Sequence, residues 1–179
     1  MTTQHTHQSS YRERLIEHLF LGELLKLSWL TDGCALEISK PEVDNSGYDV
    51  VAEARGILRH IQLKASLLGG ATQEQTVQLK LATKPSGCVV WVFFDPDTLK
   101  LGPFLYFGGA VPGTPMPSLD ELKTAEHTKW NRDAETAQGT KAPRLNLRVL
   151  RKPSFTKVSS IEELYQQLFG PAGDPAQLE

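Results

Sequence analysis

Gly47-Tyr48-Asp49-Val50-Val51 and Arg59-His60-Ile61-Gln62-Leu63-Lys64-Ala65-Ser66 decide how this chain is read. Both stretches have the composition of strands, and side chains alternate faces along a strand. In the second, His60, Gln62 and Lys64 share one face. Ile61, Leu63 and Ala65 share the other, which can pack into a core. Glu53 to Gly56 between them reads as a tight turn, with Gly56 able to take positive φ. The resulting hairpin places an acid (Asp49), an amide oxygen (Gln62) and an ammonium (Lys64) on one side. The first two can hold a hard divalent cation. The lysine can orient a water or steady developing negative charge. That combination is what hydrolysis of a phosphodiester requires.

Before this hairpin, Leu15, Ile16, Leu19, Phe20, Leu24 and Leu27 recur at helical spacing and predict a helix over 11–30, with Ser9 or Ser10 as N-cap. Gly22 inside it suggests close packing or a break, because Gly in a helix interior costs about 1 kcal/mol against Ala. Glu23 lies three and four positions from Leu19, Phe20 and Leu27 and is read as sharing the apolar face. A carboxylate there needs a partner, either a basic neighbour or a metal ion. Glu17 is the other helix acid, about 120° away around the axis by the 3.6-residue period. Cys34 to Ser39 alternates as a strand, and 40–47 reads as an acidic loop whose Glu42 and Asp44 either approach the site or are solvated loop charges.

After the hairpin, Leu67 to Gln73 is a flexible link. Glu74 to Thr83 fits a short amphipathic helix, although Val77, Leu79 and Leu81 also recur with a period of two. Cys88 to Phe94 is a continuous apolar run, the mark of a strand buried on both faces. Leu101 to Phe107 is another strand. Residues 110–118 carry three prolines and read as an irregular loop, with Ser118 able to cap a short helix. Leu145, Leu147 and Val149 alternate with Arg144, Asn146 and Arg148, a strand with one basic face. Ser160-Ile161-Glu162-Glu163 is a capping box ahead of Leu164, Leu168 and Phe169, and Gly170-Pro171 ends that last helix.

The chain has 179 residues, 40% of them hydrophobic, and a net charge of -2. That length predicts one domain over 11–170, flanked by loose tails at 1–10 and 171–179. The neutrality hides a split. From Lys123 to Lys157 there are nine basic and three acidic residues, whereas residues 1–60 carry six basic and nine acidic. In the basic extension of about 110–157, Lys129, Arg132, Lys141, Arg144 and Arg148 are candidates for holding phosphates, and Trp130 for stacking on a base. Cys34 and Cys88 fit no zinc spacing and read as reduced core residues of a cytoplasmic protein. No apolar run approaches the ~20 residues that span a bilayer, so no membrane is expected. A nucleophile elbow, a Walker loop and a dinucleotide fingerprint are absent, which argues against those enzyme classes.

Asp49, a short hairpin and then Gln62-Leu63-Lys64 resembles the PD-(D/E)XK nuclease superfamily, the restriction-endonuclease-like fold. The usual (D/E)-x-K stands here as Gln-x-Lys, similar to the variant in Mrr-like restriction enzymes, and Gly47-Tyr48-Asp49 is similar to the Gly-x-Asp that precedes it there. The resemblance covers about residues 11 to 107. It implies a mixed α/β fold with a central mixed sheet flanked by helices, and a second core helix after the lysine strand, hence at 74–83. It further implies a Mg²⁺- or Mn²⁺-dependent endonuclease. Asp49, the Gln62 oxygen and the Leu63 carbonyl would be ligands, Lys64 the catalytic lysine, and Glu23, or alternatively Glu17, the helix acid. His60 is a candidate for lining the site. DNA is the implied substrate, RNA stays open, and a homodimer or a targeting partner protein is compatible. Two other readings stay open: a module of this fold that binds without cutting, or an ordinary strand whose Gln62 and Lys64 face solvent.

Overall fold

Cys88 to Phe94 is buried residue by residue, within the strand β5 (Gly87–Phe94). Its even-numbered side chains, Cys88, Val90, Val92 and Phe94, enter one apolar cluster, and its odd-numbered Val89, Trp91 and Phe93 enter another. Strand alternation therefore makes β5 the shared wall of two cores. The computed structural model describes residues 9–43, 46–127, 131–132 and 139–171. The tails expected at 1–10 and 171–179 lie almost wholly outside them, as do Asp44, Lys129 and Trp130.

In chain order the elements are α1 (Ser9–Thr31), β1 (Glu37–Ser39), β2 (Val50–Ala54), β3 (Ile57–Leu67), β4 (Glu74–Gln78), β5, β6 (Leu101–Gly108), β7 (Thr124–Glu126), β8 (Asn131–Arg132), β9 (Gly139–Thr140), β10 (Pro143–Arg151), β11 (Thr156–Val158) and α2 (Ile161–Phe169). Short 3₁₀ turns occupy Leu79–Thr83 and Lys152–Ser154. The main sheet has six strands in the order β1-β2-β3-β5-β6-β11, antiparallel except for the parallel pair β3–β5. β4, β10 and β7 form a second, three-stranded sheet, and β8 pairs with β9. The protein is thus a mixed α/β fold.

One face of the main sheet is covered by the helices. Ile16, Phe20 and Leu24 of α1 and Leu164, Leu168 and Phe169 of α2 pack with Ala52, Ile61, Val90 and Phe104. The other face is covered by the second sheet, where Val77 and Leu150 meet Trp91, Phe93 and Leu105. At α2 the Ser160 hydroxyl accepts the Glu163 amide at 3.2 Å, and the Glu163 carboxylate accepts the Ser159 amide at 2.7 Å. The C-terminal end of α2 meets two arginines of the β2–β3 hairpin. Arg55 donates to the Phe169 and Gly170 carbonyls, and the fully buried Arg59 donates to Gln167 and Leu168. Cations there offset the partial negative charge of a helix C-terminus.

Several expectations are corrected. Residues 74–83 are not a helix: the period-two pattern holds, Glu74–Gln78 is a strand paired with β10, and only Leu79–Thr83 coils. β4 can extend because β10 supplies its backbone partners, a long-range contact absent from local spacing. No helix forms at 118–121; the Ser118 hydroxyl closes a turn by accepting the Asp120 amide at 3.2 Å. The alternation in β10 is interrupted by an irregularity between Arg144 and Arg148, so Leu145 is 71% exposed while Leu147 and Leu150 are buried. A Cβ on Gly22 would meet no atom within 4 Å, so close packing is not its reason for being there. Cys34 is exposed, and only Cys88 is in the core.

Candidate functional site

Asp49 sits just ahead of β2 and is fastened to β3 at two points. Its amide donates to the Ile61 carbonyl at 2.8 Å, and its carboxylate oxygen Oδ2 accepts the Leu63 amide at 2.6 Å. The β2–β3 register, Val50 opposite Ile61, sets Asp49 beside Gln62 and Leu63. The hairpin turn makes this register possible, with positive φ at both Arg55 and Gly56.

Gln62 is only 6% exposed, and its Oε1 accepts the backbone amide of Gln78 at 3.2 Å. Gly47 explains how β4 comes so close. A Cβ at position 47 would lie 2.2 Å from the Gln78 Cβ, and the residue has φ of 78°. Gly47 therefore serves the approach of β4 to the Asp49 loop, as a glycine does where backbone must pass side chain closely.

Asp49, Gln62, Leu63 and Lys64 line one cleft of about 680 Å³. Its other walls are the N-terminal half of α1, Lys40 just after β1, and residues of β4 and β10. Two acids of α1, Glu13 and Glu17, line this cleft, and Glu17 is the buried one. It is 8% exposed, its Oε1 accepts from Lys40 Nζ, and its Oε2 accepts from Arg14 Nη1 at 3.3 Å. Glu23 does not line the cleft. It is about half exposed and pairs with Lys26 at 3.5 Å. The buried stripe of α1 runs through Ile16, Phe20, Leu21 and Leu24, and Glu17 is three, four and seven residues from the last three. Those positions share one helix face, whereas Glu23 neighbours the half-buried Leu19 and Leu27.

His60 does not line the cleft either. Its ring meets Tyr48 edge-on, centroids 5.0 Å apart, and Tyr48 forms part of the cleft wall. Burial, and then the nearby Lys84 ammonium, push the His60 pKa below its ordinary value. Lys84 also lies 5.2 Å from the Tyr48 ring centroid.

Of the expected phosphate-binding residues, Arg144 lines the cleft. Arg148 folds back on its own strand, donating to the Leu145 and Leu147 carbonyls at 2.8 and 3.2 Å. Lys141 is exposed and outside the cleft. Lys129 lies outside the described residues, and Arg132 is described in its backbone only. The basic residues that sequence reasoning missed are Arg12, Arg14 and Lys40, which line the cleft from a segment whose formal count is acidic. With Lys64 and Arg144 they set five cations against Glu13, Glu17 and Asp49.

Among the described residues, no three His, Cys, Asp or Glu side chains gather as a metal site. The cleft lining offers the carboxylates of Glu13, Glu17 and Asp49 and the amide oxygen of Gln62, oxygen donors of the kind a hard cation such as Mg²⁺ or Mn²⁺ takes. No helix among the described residues is long and apolar enough to cross a membrane. No family model matches the chain, and no curated protein or solved structure matches it.

Proposed function

We propose that this protein is a nuclease with a restriction-endonuclease-like core that hydrolyses phosphodiester bonds in DNA with a divalent cation. The observation that carries the reading is the convergence of Asp49, Gln62, Lys64 and Glu17 on one cleft, with Arg12, Lys40 and Arg144 on its walls. Asp49, the Gln62 oxygen, the Leu63 carbonyl and Glu17 would hold Mg²⁺ or Mn²⁺. The ion, when bound, neutralises charge on the scissile phosphate and on the departing oxygen. Lys64 orients the attacking water and offsets negative charge as the phosphorus–oxygen bond forms. Arg144 and the α1 arginines hold flanking phosphates as point charges or forks. The exposed free thiol of Cys34 supports a reducing, cytoplasmic setting.

The test is nicking of supercoiled plasmid with Mg²⁺ or Mn²⁺, run beside a structured RNA and a chelator blank. Lys64→Ala and Asp49→Ala are expected to lose at least about a hundredfold in rate, the scale on which positioned electrostatic groups act. Cleavage by either variant at the parent rate would remove the assignment.

A second reading is a binding module of the same fold that does not cut. It is favoured by the existing partners of the site: the Gln62 oxygen already accepts the Gln78 amide, and Glu17 already holds Lys40 and Arg14. Such a module holds DNA or RNA equally well with chelator present and shows no metal-dependent change.

A further inference from the structure

Glu17 is a nearly buried carboxylate in a cleft, and a buried charge persists only with a partner. Its partner is Lys40, which reaches across from the loop after β1, 23 residues along the chain. The Lys40 side chain remains 35% exposed while that of Glu17 is 11% exposed. The carboxylate is therefore the fixed member of the pair, and the lysine the one with room to leave. Arg14 on the other oxygen is 71% exposed and one helical turn away. It supplies a weaker, solvent-screened contact. Lys40 lines the same cleft as Asp49, Gln62 and Lys64. The pair thus sits where a cation and a phosphate would meet.

We infer that Lys40 is a resident counter-cation for Glu17, which a divalent ion displaces, freeing the ammonium for a substrate phosphate. This rests on the metal-dependent reading above and deepens it. Without an ion, Lys40 keeps Glu17 compensated and the cleft stable. When an ion binds Glu17, Coulomb repulsion expels the ammonium, which then pairs with an anionic substrate entering the cleft. Loading of the ion and capture of the phosphate are then coupled through one side chain. Lys40 is accordingly a positioning residue that competes for a ligand, distinct from Lys64 on β3.

The measurement is Mn²⁺ binding by titration calorimetry or electron paramagnetic resonance, with no nucleic acid present, for the parent, Lys40→Met, Glu17→Gln, the double variant and Asp49→Asn. Removing a competitor should tighten binding. Lys40→Met is expected to bind Mn²⁺ about five-fold more tightly, the size of a partly exposed ion pair. Glu17→Gln should bind more weakly, and the gain from Lys40→Met should vanish in the double variant. Thermal melting adds an independent readout: Lys40→Met should melt lower than the parent without metal and gain more on adding Mn²⁺. Equal or weaker Mn²⁺ binding by Lys40→Met, with Asp49→Asn binding abolished, overturns the role of Lys40 and leaves the metal site standing. Parent-level binding by Asp49→Asn, or none by the parent, overturns both.

Discussion

The carboxylate of Asp49 accepts the Leu63 amide at 2.6 Å, so the acid of the candidate site also closes the end of the β2–β3 hairpin. Its two tasks can be separated by substitution. Asp49→Ala removes the acceptor and leaves a partly buried amide unpaired, at a cost of about 1–3 kcal/mol. Asp49→Asn keeps an acceptor oxygen and is expected to unfold in urea close to the parent, yet to lose Mn²⁺ binding. If Asp49→Ala is as stable as the parent, the hydrogen bond does not hold the hairpin.

Gln62 gives a second separation. Its Oε1 accepts the Gln78 amide, and a carboxylate there would accept it more strongly. Gln62→Glu should keep the fold and, by adding a negative charge beside Asp49, raise Mn²⁺ affinity by about tenfold. Gln62→Leu should destabilise by about 1–3 kcal/mol through the orphaned Gln78 amide. Unchanged Mn²⁺ affinity in Gln62→Glu would show that position 62 does not face the ion.

His60 has its pKa lowered by burial and by Lys84, so the unfolded chain takes up a proton at a higher pH than the fold does. Stability should then be level above the unfolded value of about 6.5 and should fall as pH drops from there through the folded value. His60→Gln should flatten that part of the profile. Urea midpoints between pH 8 and 5 for the two proteins check this, and parallel curves would remove His60 as the cause.

Arg59 is fully buried and has no carboxylate partner among the described residues; it holds the Leu168 carbonyl through Nε at 2.7 Å and that of Gln167 through Nη2 at 3.1 Å. Arg59→Ala loses both bonds and opens a cavity under α2, so a loss of about 3 kcal/mol or more is expected in chemical denaturation. Arg59→Met refills the volume and should recover part of it. A change below about 0.5 kcal/mol in Arg59→Ala, the scale of an ordinary surface substitution, would mean that α2 is held by its apolar face alone.

What the sequence determined by itself was what repeats locally. The spacing of Ile16, Phe20 and Leu24 makes α1, the alternation of Ile61, Leu63 and Ala65 orients β3, and the unbroken run from Cys88 marks the strand buried on both faces. The hairpin then brings Asp49 to Gln62 and Leu63, because turn and register are short-range properties. Tertiary structure alone decided the rest. Whether 74–83 coils or extends depended on β10, some seventy residues later. Which helix acid enters the cleft depended on how α1 rolls on the sheet, since Glu17 and Glu23 both border apolar residues. Three of the five cations of the cleft, Arg12, Arg14 and Lys40, were hidden in the sequence, because net charge counted along the chain says nothing about which side chains line one cleft. Local periodicity fixes which face of an element is apolar. Only packing between distant elements fixes which polar groups that face is set against.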